Sequence, residues 1–377
     1  MRVYLDNAAT TPVAPEVAEV MISVLTEEFG NPSSSHFYGR KSKALIETAR
    51  RTVAKHLNCQ PSEIIFTSGG TEADNMAIDT AVQNLGIQRI ITSAIEHHAV
   101  GHTADALQKS IEVSFVKLDE KGNVDLSDLE NLLKYDKKTL VSLMHANNEI
   151  STLLPILEVS TLCRKYNAYF HSDTVQTMGH YAFDLQQWDV DFITCAAHKF
   201  HGPKGVGFLF VNKNIKAHSL IHGGAQERGF RGGTENVHGI VGLAKAMDLA
   251  YHDCSEHQLH VQGLKTYMME QLQSIFPEVT FHGETNPAKS LYTVLNVCLP
   301  KTEKAAMLLF TLDLKGVAVS GGSACSSGAT KGSHVLEGIG ADMTRPNVRF
   351  SFSRYTTKEE IDYALEQLKI AFDLTLA

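Results

Sequence analysis

His198-Lys199-Phe200-His201-Gly202-Pro203-Lys204-Gly205 follows directly on the apolar run Asp191-Phe-Ile-Thr-Cys-Ala-Ala197. An apolar run of this length, closed by glycine and proline, reads as a buried strand that ends where the polar residues begin. A second such run, Ala168-Tyr-Phe170, leads into His171-Ser-Asp173-Thr-Val-Gln176. Further apolar runs lie at Ile64–Phe66, Ile90–Thr92, Val113–Val116, Leu140–Met144 and Val206–Val211. Segments with helical spacing of Leu, Val and Ala, such as Asp125 to Leu133 and Leu157 to Tyr166, alternate with them. Alternation of this kind predicts an α/β domain with a mostly parallel sheet. After about residue 255 the pattern changes to a long helix, a few strands and a closing helix near Glu359 to Phe372, a smaller α+β unit.

Polar groups cluster at the ends of the strand runs: Thr67-Ser-Gly-Gly-Thr71, Glu96-His97, Asn147-Asn148, Asp173 and His198-Lys199. In open α/β sheets ligands bind in the crevice beyond the carboxyl ends of the strands, so five elements are expected to converge on one site. A lysine and an aspartate, each closing a strand, suit pyridoxal 5'-phosphate. That cofactor needs a lysine amine for its Schiff base and an acid to keep its ring nitrogen protonated. Ser68-Gly69-Gly70-Thr71 opens a predicted helix from Glu72 to Val82. Glycines there let the backbone approach an anion, and free N–H groups at a helix start favour phosphate. Taken alone, the same four residues are an ordinary helix cap.

Composition narrows the class. The 377 residues suggest about two domains. Hydrophobic residues at 43% and charged residues at 20% argue against disorder. The net charge of −8 offers no basic surface, so no nucleic acid is expected as a partner. No apolar stretch is long enough to span a membrane, and the start from Met1 to Asp6 lacks a signal-peptide core. The expected localisation is cytoplasmic. The six cysteines, Cys59, Cys163, Cys195, Cys254, Cys298 and Cys325, form no C-x-x-C pair, and the eighteen histidines show no ligand spacing. No metal site is expected.

The chain resembles the cysteine desulfurase family, in the class V branch of fold-type I pyridoxal-phosphate enzymes. The resemblance rests on Tyr4-Leu-Asp-Asn-Ala-Ala-Thr-Thr11, Gly30-Asn-Pro-Ser-Ser34, Thr67 to Asn75, Glu96-His97-His98 and Asn147-Asn-Glu-Ile150. It continues in the Asp173 and Lys199 segments, Arg231-Gly-Gly-Thr234, Ser323-Ala-Cys325-Ser-Ser and Arg349-Phe-Ser-Phe-Ser-Arg354-Tyr-Thr-Thr. It implies a large cofactor-binding domain over residues 14–255 and a small domain from residues 1–13 and 256–377. It implies the cofactor pyridoxal 5'-phosphate, the substrate L-cysteine, a sulfur-acceptor protein and a homodimer.

In family register Lys199 resembles the lysine that bonds the cofactor and moves the substrate's proton. Asp173 resembles the partner of the ring nitrogen, and His97 the imidazole stacked on the ring. Gln176 and Asn148 resemble residues beside the ring's phenolic oxygen. Gly70, Thr71 and His198 resemble the phosphate cup, with Thr234 reaching the phosphate of the neighbouring subunit. Asn31 and Arg354 resemble the grip on the substrate carboxylate, and Cys325 the nucleophile that takes the sulfur as a persulfide.

Three glycines and four serines between Val319 and Ala329 read as an exposed loop around that thiol. Ala196 stands where the family usually has a serine, so one hydroxyl to the phosphate is missing. The segment after the last helix is short, where related iron–sulfur-assembly enzymes carry a docking tail. Two other readings stay open: an aminotransferase or selenocysteine lyase, which needs no nucleophilic thiol, and a sulfur-carrier scaffold without activity.

Overall fold

The computed structural model describes residues 1–321 and 332–374. Twelve strands are formed among the described residues. They are β1 (Val3–Tyr4), β2 (Ile64–Thr67), β3 (Arg89–Thr92), β4 (Glu112–Phe115), β5 (Thr139–Ser142) and β6 (Tyr169–Asp173), then β7 (Phe192–Ala196), β8 (Gly207–Val211), β9 (Thr280–His282), β10 (Val294–Cys298), β11 (Val317–Ala318) and β12 (Asn347–Ser351). The helices are α1 (Pro15–Glu27), α2 (Phe37–Leu57), α3 (Gly70–Gln83), α4 (His98–Leu107), α5 (Leu126–Leu133) and α6 (Ile156–Lys165), then α7 (Val237–His252), α8 (Cys254–Ile275), α9 (Leu308–Leu314), α10 (His334–Gly338) and α11 (Lys358–Ala371).

Strands β2 to β8 make one sheet in the order β2-β8-β7-β6-β5-β3-β4. Every neighbouring pair is parallel except the two that involve β8. Connection length explains the exception. A parallel neighbour needs a crossover of a dozen or more residues, usually through a helix. Only residues 197–206 join β7 to β8, so the chain turns straight back. That tight return carries Lys199. The return also brings backbones close together: a Cβ at Gly207 would lie 2.2 Å from the Cys195 carbonyl oxygen.

The central strands β5, β6, β7 and β8 are almost wholly buried, as a parallel sheet covered on both faces requires. One core, including Val53, Phe66, Val141, Phe170, Ile193, Phe208 and Leu243, packs α2, α6 and α7 on one face. A second, with Met76, Ile90, Leu140, Phe192 and Leu209, packs α3 on the other. A separate core joins Val3 and Leu5 to residues between Val261 and Ala371. There β10 lies between β9 and β12 in an antiparallel sheet, and β1 pairs in parallel with β11. The N-terminal segment therefore packs with the C-terminal one. No helix of the described residues is long and apolar enough to cross a membrane.

Candidate active site

A cavity of about 250 Å³ opens at the carboxyl ends of the large-sheet strands. Its lining includes Gly70 and Thr71 after β2, His97 after β3, Asn148 after β5, Asp173 and Gln176 from β6 onward, and His198 and Lys199 after β7. The five expected segments thus meet in one place.

Lys199 Nζ donates to the carbonyls of Ala8 at 2.7 Å and Ala9 at 2.9 Å. Gln176 Nε2 reaches the same Ala8 oxygen at 3.1 Å, and His198 Nδ1 meets Thr10 Oγ1 at 3.1 Å. The N-terminal segment is therefore stretched along one wall. The 147–148 turn is held by Asn147, whose Nδ2 donates to Ile95 O at 2.8 Å and whose Oδ1 accepts from Glu149 N at 2.8 Å. This is the Asx-type turn that asparagine favours, and it delivers Asn148 to the cavity.

Helix α3 starts at Gly70 with Gly69 at its N-cap and no side-chain cap. Its first N–H groups are left for a ligand, the arrangement that suits a phosphate. A Cβ at Gly70 would come within 2.9 Å of Val175 Cγ2, so this approach depends on glycine. Ala196 lines the same end of the cavity with its methyl group.

His97 caps α4, its Nδ1 accepting from Ala99 N at 3.2 Å. Burial, followed by the positive charge of Lys199, holds its pKa down at about 4. A neutral, flat ring of this kind is suited to stacking and proton exchange. Asp173 is buried at the end of β6, and its Oδ1 accepts from Val175 N at 2.8 Å. Burial raises its pKa and neighbouring Asp74 raises it further, while Lys199 acts in the opposite sense. A poorly solvated acid facing a cavity calls for a cationic N–H partner. A protonated pyridine nitrogen is such a partner, so the donor set fits pyridoxal phosphate.

Not every expected residue is here. Arg354 departs from its expected place. It borders a different small cavity with His180, His201, His257 and Tyr292. Its Nη1 donates to Leu249 O at 3.2 Å and its Nη2 to Tyr355 Oη at 3.0 Å. The arginine in the main cavity is Arg349. It sits inside β12, whereas Arg354 lies beyond the strand end. Arg349 Nη2 bonds Asp6 Oδ1 at 2.8 Å and Nη1 bonds Asn148 O at 3.0 Å, while its Nε is buried without a partner. Asn31 lies on an exposed loop with its Oδ1 on Ser33 N at 2.9 Å, away from the cavity lining. Thr234 is exposed in a separate cleft with Ser68, Arg231 and Asn236. Cys325 lies outside the described residues.

Several lining residues were not anticipated: Asp74, His98, Glu149, His334 and Arg349. Asp74 stands four residues after Gly70 on α3, a helical spacing that puts both on one side. Arg349 shares the quoted C-terminal motif with Arg354. His334 has no comparable signal, since it enters from the far end of the chain. It meets the ring of His98 with centroids 4.4 Å apart.

A strand-end lysine, a buried aspartate, a neutral histidine and an open helix start around one cavity define a pyridoxal-phosphate enzyme of fold-type I. The class-V aminotransferase family matches residues 3–364. The cysteine desulfurase IscS of Dictyoglomus turgidum is 44% identical over 372 residues, covering 97% of this chain and 93% of that protein. The putative cysteine desulfurase IscS 1 of Bacillus subtilis is 40% identical, covering 97% of both. A solved NifS-like protein matches over 100% of both chains at 38% identity with a TM-score of 0.92. SspA in complex with cysteine matches at 30% identity and a TM-score of 0.81, covering 94% of this chain and 100% of that one. The chain belongs to the class-V aminotransferase family, and within it to the cysteine desulfurases.

Proposed function

We propose that the protein removes sulfur from L-cysteine, releases L-alanine, and passes the sulfur through Cys325 to an acceptor protein. The observation that carries the reading is the meeting of Lys199, Asp173 and His97 in one cavity. When bound, pyridoxal phosphate supplies an electron sink that makes the substrate's Cα proton acidic and loosens its Cβ–S bond. Asp173 would hold the ring nitrogen protonated, and Gly70, Thr71 and His198 would hold the phosphate. His97 would cover the ring, and Gln176 and Asn148 would flank its oxygen.

Lys199 would leave the Ala8 and Ala9 carbonyls, take the proton from Cα and return one during turnover. Arg349, with its unpartnered Nε, is the cation in the cavity suited to the α-carboxylate. The Cys325 thiolate would attack the substrate sulfur. An S–S bond forms, the Cβ–S electron pair stays with the carbon skeleton, and reprotonation gives alanine. Cysteine plus enzyme thiol thus becomes alanine plus enzyme persulfide, with atoms balanced. The described cysteines support assigning this step to Cys325. Burial pushes the thiols of Cys59 and Cys163 up to about 12 and raises those of Cys195, Cys254 and Cys298. None is a thiolate at neutral pH, which is the form that attacks.

The sulfur is proposed to serve iron–sulfur cluster or thio-cofactor synthesis in the cytoplasm. A homodimer is proposed as well. Phe29, Phe37 and Tyr38 are 73%, 62% and 50% exposed and form one aromatic patch, with the Phe29 and Tyr38 rings 5.1 Å apart. Exposed patches of this kind mark association surfaces. Thr234 stands free of its own cavity, available to a neighbouring subunit's phosphate.

The test is incubation with L-cysteine and dithiothreitol, measuring sulfide and alanine together. Equal yields are expected from the wild type and neither product from Cys325→Ser. Without reductant, the wild-type peptide containing Cys325 should gain one sulfur atom, about 32 mass units. Full activity in the serine variant would dismiss the persulfide route.

A further inference from the structure

Asp74 is a second buried carboxyl that the proposed mechanism does not use. It lies on α3 with 1% of its surface exposed and lines the active cavity. Its Oδ1 is fully buried and has no hydrogen-bond partner. His171 Nε2 is 3.4 Å from that oxygen, but the same nitrogen meets Thr194 Oγ1 at the shorter distance of 3.1 Å. One oxygen of Asp74, one of Asp173 and one nitrogen of His97 lie within 4.8 Å of one another.

Two carboxylates this close and this deeply buried do not readily ionise together. They titrate as a pair, and one retains its proton into a higher pH range. The surroundings decide which one. From β6, Asp173 and His171 face Asp74. From the start of α4, His97 faces it, with Glu96 just behind. From the turn after β7, the positive charge is Lys199. His97 and His171 are kept neutral by burial, so neither supplies a cation. Glu96 is itself raised to about 8 by burial, with both aspartates adding to the effect. Asp173 has a backbone N–H donor and feels the charge of Lys199. Asp74 has burial raising it and the Thr194 hydroxyl as its counterweight. Burial raises both to about 7, and the backbone donor on Asp173, set against the partnerless Oδ1 of Asp74, favours the anion at Asp173 and the proton at Asp74.

We propose that Asp74 is a positioning residue for the cofactor's ring nitrogen: it keeps its proton, and by staying neutral leaves Asp173 as the single anion at the buried end of the cavity. This rests on the cofactor reading above and assigns Asp74 a role that the chemistry of Lys199 does not require. Deprotonation of Asp74 at alkaline pH would place a second negative charge beside the ring nitrogen and alter the bound cofactor's visible absorption.

The experiment is a titration of the holoenzyme's visible spectrum from about pH 6 to 10, for the wild type, Asp74→Asn and Asp74→Ser. The wild type should show an alkaline transition that both variants lack, while both keep the cofactor at neutral pH. An alkaline transition unchanged in the variants overturns the proposal. So does release of cofactor at neutral pH to the extent seen in Asp173→Ala, because Asp74 would then be the anion. The infrared difference between wild type and Asp74→Asn at about pH 6 gives an independent check, a protonated-carboxyl band from Asp74 to which Glu96, present in both proteins, does not contribute. Its absence also overturns the proposal. Wild-type protein that takes up no pyridoxal phosphate would instead refute the cofactor reading itself, which separates the two failures.

Discussion

Exchanging the roles of two arginines gives the sharpest test of the substrate site. Arg349→Gln removes the guanidinium inside the cavity, while Arg354→Gln removes one that already serves Leu249 and Tyr355 elsewhere. Each charge-assisted hydrogen bond to a carboxylate is worth about 1.5–3 kcal/mol. At about 1.36 kcal/mol per factor of ten, Arg349→Gln should lower kcat/KM for L-cysteine by roughly 10- to 150-fold. Arg354→Gln should change it less than about threefold, because an arginine bonded outside the cavity contributes no transition-state binding.

Arg349 also holds Asp6, so part of any loss could come from a disturbed wall. The Asp6 side chain is 20% exposed and can take water in place of the guanidinium. The assay is sulfide release in the presence of dithiothreitol, run in parallel on L-cysteine and L-cysteine amide. A general structural defect slows both substrates alike. Loss of the carboxylate grip slows only the acid, so the preference for acid over amide should collapse in Arg349→Gln. An undiminished preference in Arg349→Gln, or its collapse in Arg354→Gln, would refute the assignment.

Lys199→Ala should still bind pyridoxal phosphate noncovalently but lose turnover; alanine release at the wild-type rate would refute its role. Asp173→Ala should be nearly as damaging and should bind the cofactor more weakly, as read by dialysis and absorbance. Lys199→Ala mixed and re-dimerised with a Thr234→Trp variant should recover part of the activity if the two subunits share sites, and sedimentation of a fully active monomer would remove the dimer. Stability of the cofactor-free protein should fall between pH 6.5 and 4. Burial holds His97, His145, His171, His180, His198 and His201 down at about 4. The unfolded chain takes up those protons near pH 6.5, so their contribution is present above that value and is lost as pH falls toward 4. Five raised carboxyls, Asp74, Glu96, Glu149, Asp173 and Asp191, oppose this but are outnumbered by the six histidines. A melting temperature that rises on acidification would contradict the balance.

The large sheet was legible because its strands are short apolar runs closed by polar residues. Phe192–Thr194 and Ile64–Phe66 were read within a residue or two of β7 and β2. The site was legible for the same reason: Lys199, Asp173 and His97 all stand at such endings. Arg349 was missed because two arginines share one motif and only strand register separates them. Arg349 pairs opposite Asn296 in the middle of a ladder, while Arg354 falls past its end. Asp74 sits one helical turn inside α3, and His334 arrives from more than two hundred residues away. Such positions are set by packing, and no local pattern announces them.

The carbonyls that hold Lys199 belong to residues 8 and 9, and that strap is anchored at the opposite end of the chain. Asn7 Nδ2 donates to Ser351 O across 344 positions, and Ala8 N donates to Ser351 Oγ. Val3 N reaches Gly316 O, and Leu5 N reaches Ala318 O. A ribosome emits the strap some three hundred residues before its anchors. The large sheet can form during synthesis, but the resting place of the lysine cannot close until β12 has emerged. Contacts of such sequence separation are slow to form, so the nascent chain passes through a stage with its sheet built and its catalytic lysine still unberthed.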